Sequence, residues 1–299
     1  MAPPRDAQRE KTSIRPMQLN DLPANAALVD RFVRLLDEPA DPRMVCIQAR
    51  CDHGVKSVDI DRPMLGLILR GSKWLRCGAL TDNFVPGDLV ALAPGVRFDA
   101  INRPDTAEGR YLTLSVPLCD EVLAAARLMW PQPVLPSGLG FTRVPAGALL
   151  HELTALADAV EADNELRARL AVLNLLVQLA QNGATDLLLP PTPGLSAQVR
   201  QLVAQAPTRA WQSADFEQAL GTSGATLRRR LAAEGTTLRD LVTHARLACA
   251  LDLLYTTQWP IKTVADRVGY KSAESFARRF RERYGMDASA IGNAAPERV

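Results

Sequence analysis

The sequence has no stretch of 18 consecutive apolar residues and no apolar segment at its N-terminus, so it predicts neither a membrane span nor a signal peptide. Its five cysteines are an odd number, and none of them forms a Cys-x-x-Cys pair. This pattern argues against a disulfide framework and a zinc ribbon, and it favours the reduced cytoplasm. Cys46 and Cys51 raise the alternatives of a repair methyltransferase or a zinc sensor, but their isolated spacing favours ordinary buried thiols.

Histidine is also scarce, with three in 299 residues and no His-x-His motif. A metal enzyme needs several clustered imidazole and carboxylate ligands, so we expect no metal site, no catalytic residues and no cofactor.

Charge is distributed unevenly along the chain, although the net charge is only +2. Residues 195–299 contain 15 Lys and Arg against 10 Asp and Glu, a net charge of +5. The rest contains 20 against 23, a net charge of −3. Basic charge at one end is expected if only that end meets phosphate groups.

Length and composition predict two domains with packed cores, since 47% of the residues are hydrophobic. Residues 1–25 are polar and predict a disordered tail. Residues 26–188 predict the first domain, the proline-rich residues 189–196 a linker, and residues 197–299 a helical second domain.

Short strands and tight turns are predicted between about residues 40 and 117, as in a β-sandwich or barrel. From residue 118 the pattern becomes helical, and we expect helices at 120–129, 148–160 and 165–182. The last of these carries one apolar stripe: Leu166, Leu170, Leu173, Val177 and Ala180. The stripe fits packing on the β domain and a helix–helix dimer contact equally well.

Near the C-terminus the pattern predicts a helix-turn-helix unit. Its first helix covers residues 215–220, with Ser213 as N-cap, and Gly221 supplies the positive φ that ends it. Ser223 caps a second helix, residues 224–232, which has the place of a recognition helix in the major groove. We expect DNA contacts from the early residues of this helix: Ser223, Ala225, Thr226, Arg228 and Arg229.

The same plan repeats further along the chain. A helix over residues 261–268 ends at Gly269, and Ser272 caps a second helix that Phe276 and Phe280 hold to the core. From this helix we expect DNA contacts by Ser272, Ala273, Glu274 and Arg278. Phosphate contacts are expected from nearby basic side chains: Arg230, Lys271, Arg279 and Arg281.

A continuous helical pattern over residues 238–255 joins the two units, about 27 Å long at 1.5 Å per residue. With the flanking turns, the two recognition helices are expected about 34 Å apart, which is one turn of duplex. One glycine between two amphipathic helices often has nothing to do with DNA. Two such units in the same register, with serine caps and local positive charge, favour DNA binding.

Packing, capping and turn residues recur through both units and the connector: Ser223, Thr226, Leu227, Arg229, Arg230, Leu231, Gly235, Leu238, Arg246, Leu247, Ala250, Leu253, Leu254, Ile261, Val264, Ala265, Val268, Gly269, Tyr270, Ser272, Ser275, Phe276, Arg279, Phe280, Tyr284 and Gly285. Over about 85 residues this set resembles the AraC/XylS family of transcription regulators. The resemblance implies that the first recognition helix supplies most base contacts, and that RNA polymerase is a candidate partner.

Some positions depart from the family pattern. Glu217 stands where the family usually has a small residue, and Gly224 begins the first recognition helix, so we expect a looser first unit. Ala288, Ile291 and Gly292 replace the usual Pro and Tyr-Arg, which weakens the prediction of a final short helix.

The segment from Gly87 to Phe98, with Gly-Asp and Pro-Gly turns, resembles the second conserved segment of cupin barrels. Metal-dependent cupins have a ligand histidine at the position of Phe98, so a sensor is favoured over a metal enzyme. Polar and aromatic side chains in a barrel mouth often fix a ligand. The candidates for an effector pocket, with ordinary surface or core positions as the alternative, are Arg50, His53, Trp74 and Arg76.

The sequence therefore predicts an α+β chain with a cupin-like β-barrel followed by helices, and an all-α double helix-turn-helix domain. We expect a cytoplasmic transcription regulator, an activator rather than an enzyme, that binds double-stranded DNA and forms a homodimer. A small-molecule effector and RNA polymerase are further candidate partners, and no membrane contact is expected. The alternative is a small-molecule-binding or enzymatic cupin-like protein with an incidental basic helical domain.

Overall fold

The structure, a computed structural model, describes residues 22–37, 45–116, 118–190 and 194–291. The strands in chain order are β1 (Val45–Ala49), β2 (His53–Ile60), β3 (Met64–Arg70), β4 (Ser72–Cys77), β5 (Leu80–Phe84), β6 (Asp88–Leu92), β7 (Val96–Arg103), β8 (Tyr111–Val116) and β9 (Phe141–Pro145). The helices are α1 (Leu22–Asp37), α2 (Asp120–Met129), α3 (Leu150–Glu161), α4 (Glu165–Gln181), α5 (Leu195–Gln205), α6 (Ser213–Leu220), α7 (Gly224–Ala233), α8 (Leu238–Thr256), α9 (Ile261–Arg267) and α10 (Ala273–Tyr284). Within these ranges no helix is long and apolar enough to cross a membrane.

Two antiparallel sheets form the β part, and their inner faces share one apolar cluster. Sheet A has the strand order β1-β8-β3-β6-β9, and sheet B has the order β2-β7-β4-β5. Strand β3 has a continuous apolar run because both faces of this strand are buried. Leu67 and Leu69 pack towards the helices, and Ile68 packs between the sheets. The predicted β-rich N-terminal domain is confirmed, in the form of two facing sheets.

The outer face of sheet A is covered by α1, α2, α3 and α4. The sequence reading missed α1, which begins at Leu22 and so includes the last residues of the predicted tail. Its buried Leu28, Phe32 and Leu36 recur at intervals of four, the spacing that would have predicted it. Residues 1–21, the rest of the predicted tail, lie outside the described residues. Strand β9 was also missed.

Helix α4 presents two different apolar faces. Six of its apolar residues are buried against the β domain and neighbouring helices: Ala171, Val172, Leu175, Leu176, Leu179 and Ala180. The stripe identified from the sequence lies beside this face. Leu166 and Leu170 are 68% and 51% exposed, Leu173 and Val177 are half-buried, and Ala180 is buried. Packing within the chain therefore buries the C-terminal end of the stripe, whereas Leu166 and Leu170 at its N-terminal end remain exposed to solvent.

The predicted linker is shorter than expected, because α5 already begins at Leu195. Residues 191–193, its centre, lie outside the described residues. Beyond it, α5, α6, α7 and the first half of α8 enclose a core of their own. That core consists of Val199, Val203, Phe216, Leu227, Leu231, Leu241 and Ala245.

The second half of α8 packs with α9 and α10 in a different core. Leu247, Ala250 and Leu254 of α8 belong to the same apolar cluster as the residues between the two sheets. The first helix-turn-helix unit is thus packed separately, whereas the second unit is continuous with the β part.

Candidate nucleic-acid interface

The first helix-turn-helix unit consists of α6, a turn at Gly221 and α7. The N-cap of α6 is Gln212, which forms a capping box with Asp215, so the expectation that Ser213 caps this helix was wrong. Ser213 instead lies inside the first turn and its hydroxyl donates to Glu217 at 2.8 Å. Gly221 ends the helix with φ of 58°, as predicted.

Helix α7 is fixed by its buried face, which leaves its other face outward. Leu227 and Leu231 are buried, and Ser223 caps the helix by accepting a hydrogen bond from the Thr226 amide at 3.3 Å. Of the residues expected to contact DNA, Ser223, Ala225, Arg228 and Arg229 are exposed and Thr226 is half-buried. Their exposure fits a recognition helix whose early turns face the duplex.

Glu217 and Gly224, the two departures in this unit, lie against each other. A Cβ atom on Gly224 would stand 2.5 Å from Oε1 of Glu217. The missing side chain at residue 224 thus makes room for the larger side chain at residue 217. The sequence predicts that each residue loosens the unit, but in the structure the two form a matched contact where α6 meets α7.

The second unit consists of α9, a turn at Gly269 and α10. Ser272 caps α10 by accepting from the Ser275 amide at 3.3 Å, as predicted. Phe276, Phe280 and Tyr284 form a buried aromatic row with ring centroids 5.5 and 4.8 Å apart. On the outward side, Ser272, Glu274 and Arg278 are exposed and Ala273 is half-buried.

The residues expected to bind phosphates differ in their surroundings. Arg230 and Lys271 are exposed, while Arg279 donates to Glu282 at 3.1 Å and Arg281 donates to Asp287 at 2.6 Å. Both ion pairs are largely exposed, so each contributes little to stability. Either arginine can therefore leave its carboxylate partner for a phosphate oxygen at little cost in free energy.

A groove of about 730 Å³ lies beside the first recognition helix, and the sequence reading did not anticipate it. Its basic residues come from two helices, with Arg228 on α7 and Arg239 and Arg246 on α8. No charge pattern in α8 predicts the groove, because Arg239 and Arg246 are balanced by Asp240 and Asp252.

The chain after α10 makes one short turn of 3-10 helix, Ala288–Ala290. Ala288 and Ile291 are buried against the second unit, so these substitutes keep the apolar contacts that close its core. Gly292 lies outside the described residues.

The β part contacts the helix-turn-helix part through charged side chains. Asp59 of β2 accepts from Arg283 of α10 at 2.7 Å and from Arg97 at 2.6 Å. Asp61, at the end of β2, accepts from Arg200 of α5 at 2.7 Å. Sheet B therefore holds the second recognition helix directly.

A chain of buried polar side chains lies between the sheets and reaches α8. Lys73 donates to Asn102 Oδ1 at 2.8 Å, and Asn102 Nδ2 lies 3.0 Å from His53 Nε2. The same Nε2 lies 2.9 Å from the Tyr255 hydroxyl. Burial lowers the pKa of His53 to about 4, so the ring is neutral and one of its two nitrogens donates while the other accepts.

Lys73 is the most unusual member of this chain of polar groups. Burial lowers its pKa to about 8, and no acidic side chain pairs with it within the part of the chain that the structure describes. Strand alternation could have placed it, because Lys73 and Asn102 share the inward face with Leu75 and Ala100.

The four candidates for an effector pocket are not brought together. His53 lies in the buried chain just described, whereas Arg50 is exposed beyond the end of β1. Trp74 and Arg76 lie on the outer face of sheet B, where Arg76 donates to Asp99. Only His53 of the four faces the interior.

Comparison with known proteins supports the interpretation of the C-terminal part. A family model described as a helix-turn-helix domain matches residues 217–293. The urease operon transcriptional activator of Escherichia coli is 32% identical over 91 residues, 30% of this chain and 31% of that protein. The regulator YdeO of Escherichia coli K12 is 28% identical over 160 residues, 53% of this chain and 62% of that protein. The chain thus spans less than two thirds of either curated relative.

A solved structure extends the likeness to the whole fold. Wild-type ToxT from Vibrio cholerae, with an unsaturated fatty acid bound, superposes with a TM-score of 0.60. The superposition covers 85% of this chain and 97% of that one, at 16% sequence identity. Residues 217–293 of this chain therefore match a helix-turn-helix domain, within a chain whose two-domain fold is similar to that of ToxT.

Proposed function

We propose that this chain is a sequence-specific DNA-binding transcription regulator. The observation that carries the proposal is the pair of capped recognition helices, α7 and α10, mounted on one connector helix that contributes to both cores. A single chain then enters two adjacent segments of the major groove, with α8 spanning the distance between them.

The side chains divide into two tasks. Guanidinium groups of Arg228, Arg229 and Arg278 have the geometry for two hydrogen bonds to a guanine edge, and Glu274 can accept from cytosine. Ser223, Ala225, Thr226, Ser272 and Ala273 allow close approach of the helix ends. Phosphate contacts come from Arg230, Lys271, Arg279 and Arg281, which position the protein without reading sequence.

The β part modulates DNA binding in this proposal, because it contacts the second recognition helix directly and, among the described contacts, the first unit only through α5. Asp59 and Asp61 attach it to α10 and α5. A shift of sheet B therefore moves the second recognition helix relative to the first.

The effector we propose is a small molecule with an acidic group that enters between the sheets. Lys73 is a buried cation whose only described hydrogen-bond partner is a neutral amide. A ligand carboxylate there would form a charge-assisted hydrogen bond and remove the cost of the buried charge. The fatty acid in ToxT shows that a related fold accommodates an acid of this class.

We also propose a homodimer, formed through the exposed part of α4. Leu166 and Leu170 are large apolar residues that face water on this helix. We propose activation of transcription as well, by analogy with the urease operon transcriptional activator, with RNA polymerase as the partner and the cytoplasm as the location. The alternative, an enzymatic or small-molecule-binding cupin-like protein with an incidental basic domain, is disfavoured because the named relatives are transcription regulators.

A salt titration tests the proposed function. The affinity for a duplex selected from a random pool should fall linearly on a log–log plot as salt rises, with a slope of about −0.9 per phosphate contacted. Replacing Arg228 and Arg229 with alanine should weaken binding, whereas replacing Arg34, an exposed arginine on α1, should not. Absent or salt-independent binding contradicts the proposal.

A further inference from the structure

The connector helix α8 passes from one core to the other at a single residue. Ala245 is buried in the core of the first unit and Leu247 is buried in the core of the second. Arg246 lies between them, half-buried, on the side of the helix where the two units meet.

The guanidinium group of Arg246 binds main-chain carbonyls of both units. Its Nη2 donates to the carbonyl of Arg209, in the loop before α6, at 2.8 Å. Its Nη1 lies 3.5 Å from the carbonyl of Gly269, in the turn of the second unit. The Nε atom is buried as well. Because these donors face protein atoms, the side chain is not arranged to reach a phosphate.

The turn of the second unit touches the loop of the first directly. A Cβ atom on Gly269 would stand 2.6 Å from the Pro207 carbonyl oxygen and 3.1 Å from Cα of Thr208. Gly221, the equivalent glycine of the first unit, also has a positive φ, but nothing lies within 4 Å of its missing Cβ. Gly221 is therefore needed for its backbone conformation alone, whereas Gly269 also allows the two units to meet.

We propose that Arg246 and Gly269 fix the distance and rotation between the two recognition helices, and thereby the spacing of the two half-sites in DNA. This rests on the proposed function. Arg246 is a positioning residue in this role, because it acts on α7 and α10 through the loop and turn that it joins. A change of one base pair moves a half-site by about 3.4 Å along the duplex axis, so a rigid joint selects one spacing.

Selection from a random pool of duplexes tests this proposal with four proteins: wild type, Arg246→Lys, Gly269→Ala and Gly221→Ala. Lysine keeps the positive charge, but its single ammonium does not reproduce the planar fork that reaches two carbonyls. Gly221→Ala imposes a similar backbone strain in the other turn without a collision. Thermal unfolding of each variant accompanies the selection, and Arg246→Lys carries the test if Gly269→Ala does not fold.

We expect the wild-type chain to enrich two half-sites at one spacing, and Gly221→Ala to keep that spacing. Arg246→Lys and Gly269→Ala should enrich the same half-sites over a range of at least two spacings. The role of Arg246 is overturned if both variants keep the wild-type spacing, or if a folded Arg246→Lys loses the half-sites themselves. If the wild-type chain enriches no sequence at all, the proposed function itself fails.

Discussion

Asp59 on strand β2 and Arg283 on the second recognition helix are joined by a hydrogen-bonded ion pair at 2.7 Å, with side chains only 20% and 11% exposed. Arg283 also lies next to Tyr284, which is buried in the core shared by the second unit and the sheets. The pair therefore anchors the end of α10 to the β part, while α7 has no such attachment among the described contacts. Any influence of the N-terminal domain on DNA should act through the second unit first.

A double-mutant cycle with Asp59→Asn and Arg283→Gln measures this anchor. We expect a coupling of about 1–3 kcal/mol in the free energy of unfolding, because the partly buried pair is poorly screened by water. Urea unfolding of the four proteins gives the value. A coupling below about 0.5 kcal/mol would place the pair with exposed salt bridges and remove this route of communication.

Arg229 and Arg230 are neighbours on α7 and should behave differently. Arg229→Ala should cost about 1–3 kcal/mol of binding and relax the preference at one base pair. Arg230→Ala should weaken binding to all sequences about equally and reduce the salt slope by about 1. Competition binding over single-base variants of the selected site distinguishes them. Uniform weakening by Arg229→Ala would make Arg229 a phosphate contact.

The fit between Glu217 and Gly224 predicts that substitutions at these positions are not additive. In a Glu217→Ala background, Gly224→Ala should stabilise the chain by about 0.5–1 kcal/mol through helix propensity. In the wild-type background the new Cβ displaces the Glu217 carboxylate from Ser213, so we expect no gain or a loss. The same gain in both backgrounds, measured by urea unfolding, would show that the two residues do not interact.

Lys73 predicts a change of stability with alkaline pH. Its pKa is about 8 in the folded chain against 10.5 for the ordinary side chain, so between these values the unfolded chain binds the extra proton. The free energy of unfolding therefore rises with pH in that window, by up to about 1.4 kcal/mol per pH unit. Below pH 8 both states bind the proton, so Lys73 contributes no pH dependence there. A Lys73→Met variant keeps the titratable neighbours His53 and Tyr111 in the chain, so the comparison isolates the lysine.

The free energy of unfolding of wild type minus that of Lys73→Met should thus increase between pH 8 and 10. A pH-independent difference would mean that Lys73 keeps its ordinary pKa.

The same two proteins test the acidic effector, since oleate should raise the melting temperature of wild type more than that of Lys73→Met. Methyl oleate, which lacks the charge, should not distinguish them.

Local signals in the sequence predicted both helix-turn-helix units well. Gly221 and Gly269 mark turns that need a positive φ, and Ser223 and Ser272 accept from amides three residues later. The cap of α6 was misassigned because Gln212 is a weaker signal than the adjacent Ser213. Contacts between distant residues were out of reach, since Asp59 and Arg283 are separated by 224 positions. Arg246 was recognised only as part of a family pattern, because its partners are backbone carbonyls that no sequence pattern identifies.

A hydroxyl-radical footprint of the purified chain on its selected duplex tests the central claim most directly. At a stoichiometry of one chain per site, the account predicts two protected segments on one face of the duplex, about 10 base pairs apart. Arg229→Ala should weaken protection of one segment and Arg278→Ala that of the other. Protection of one segment only, or a second segment that appears only when a second chain binds, would contradict the claim that one chain uses both units at once.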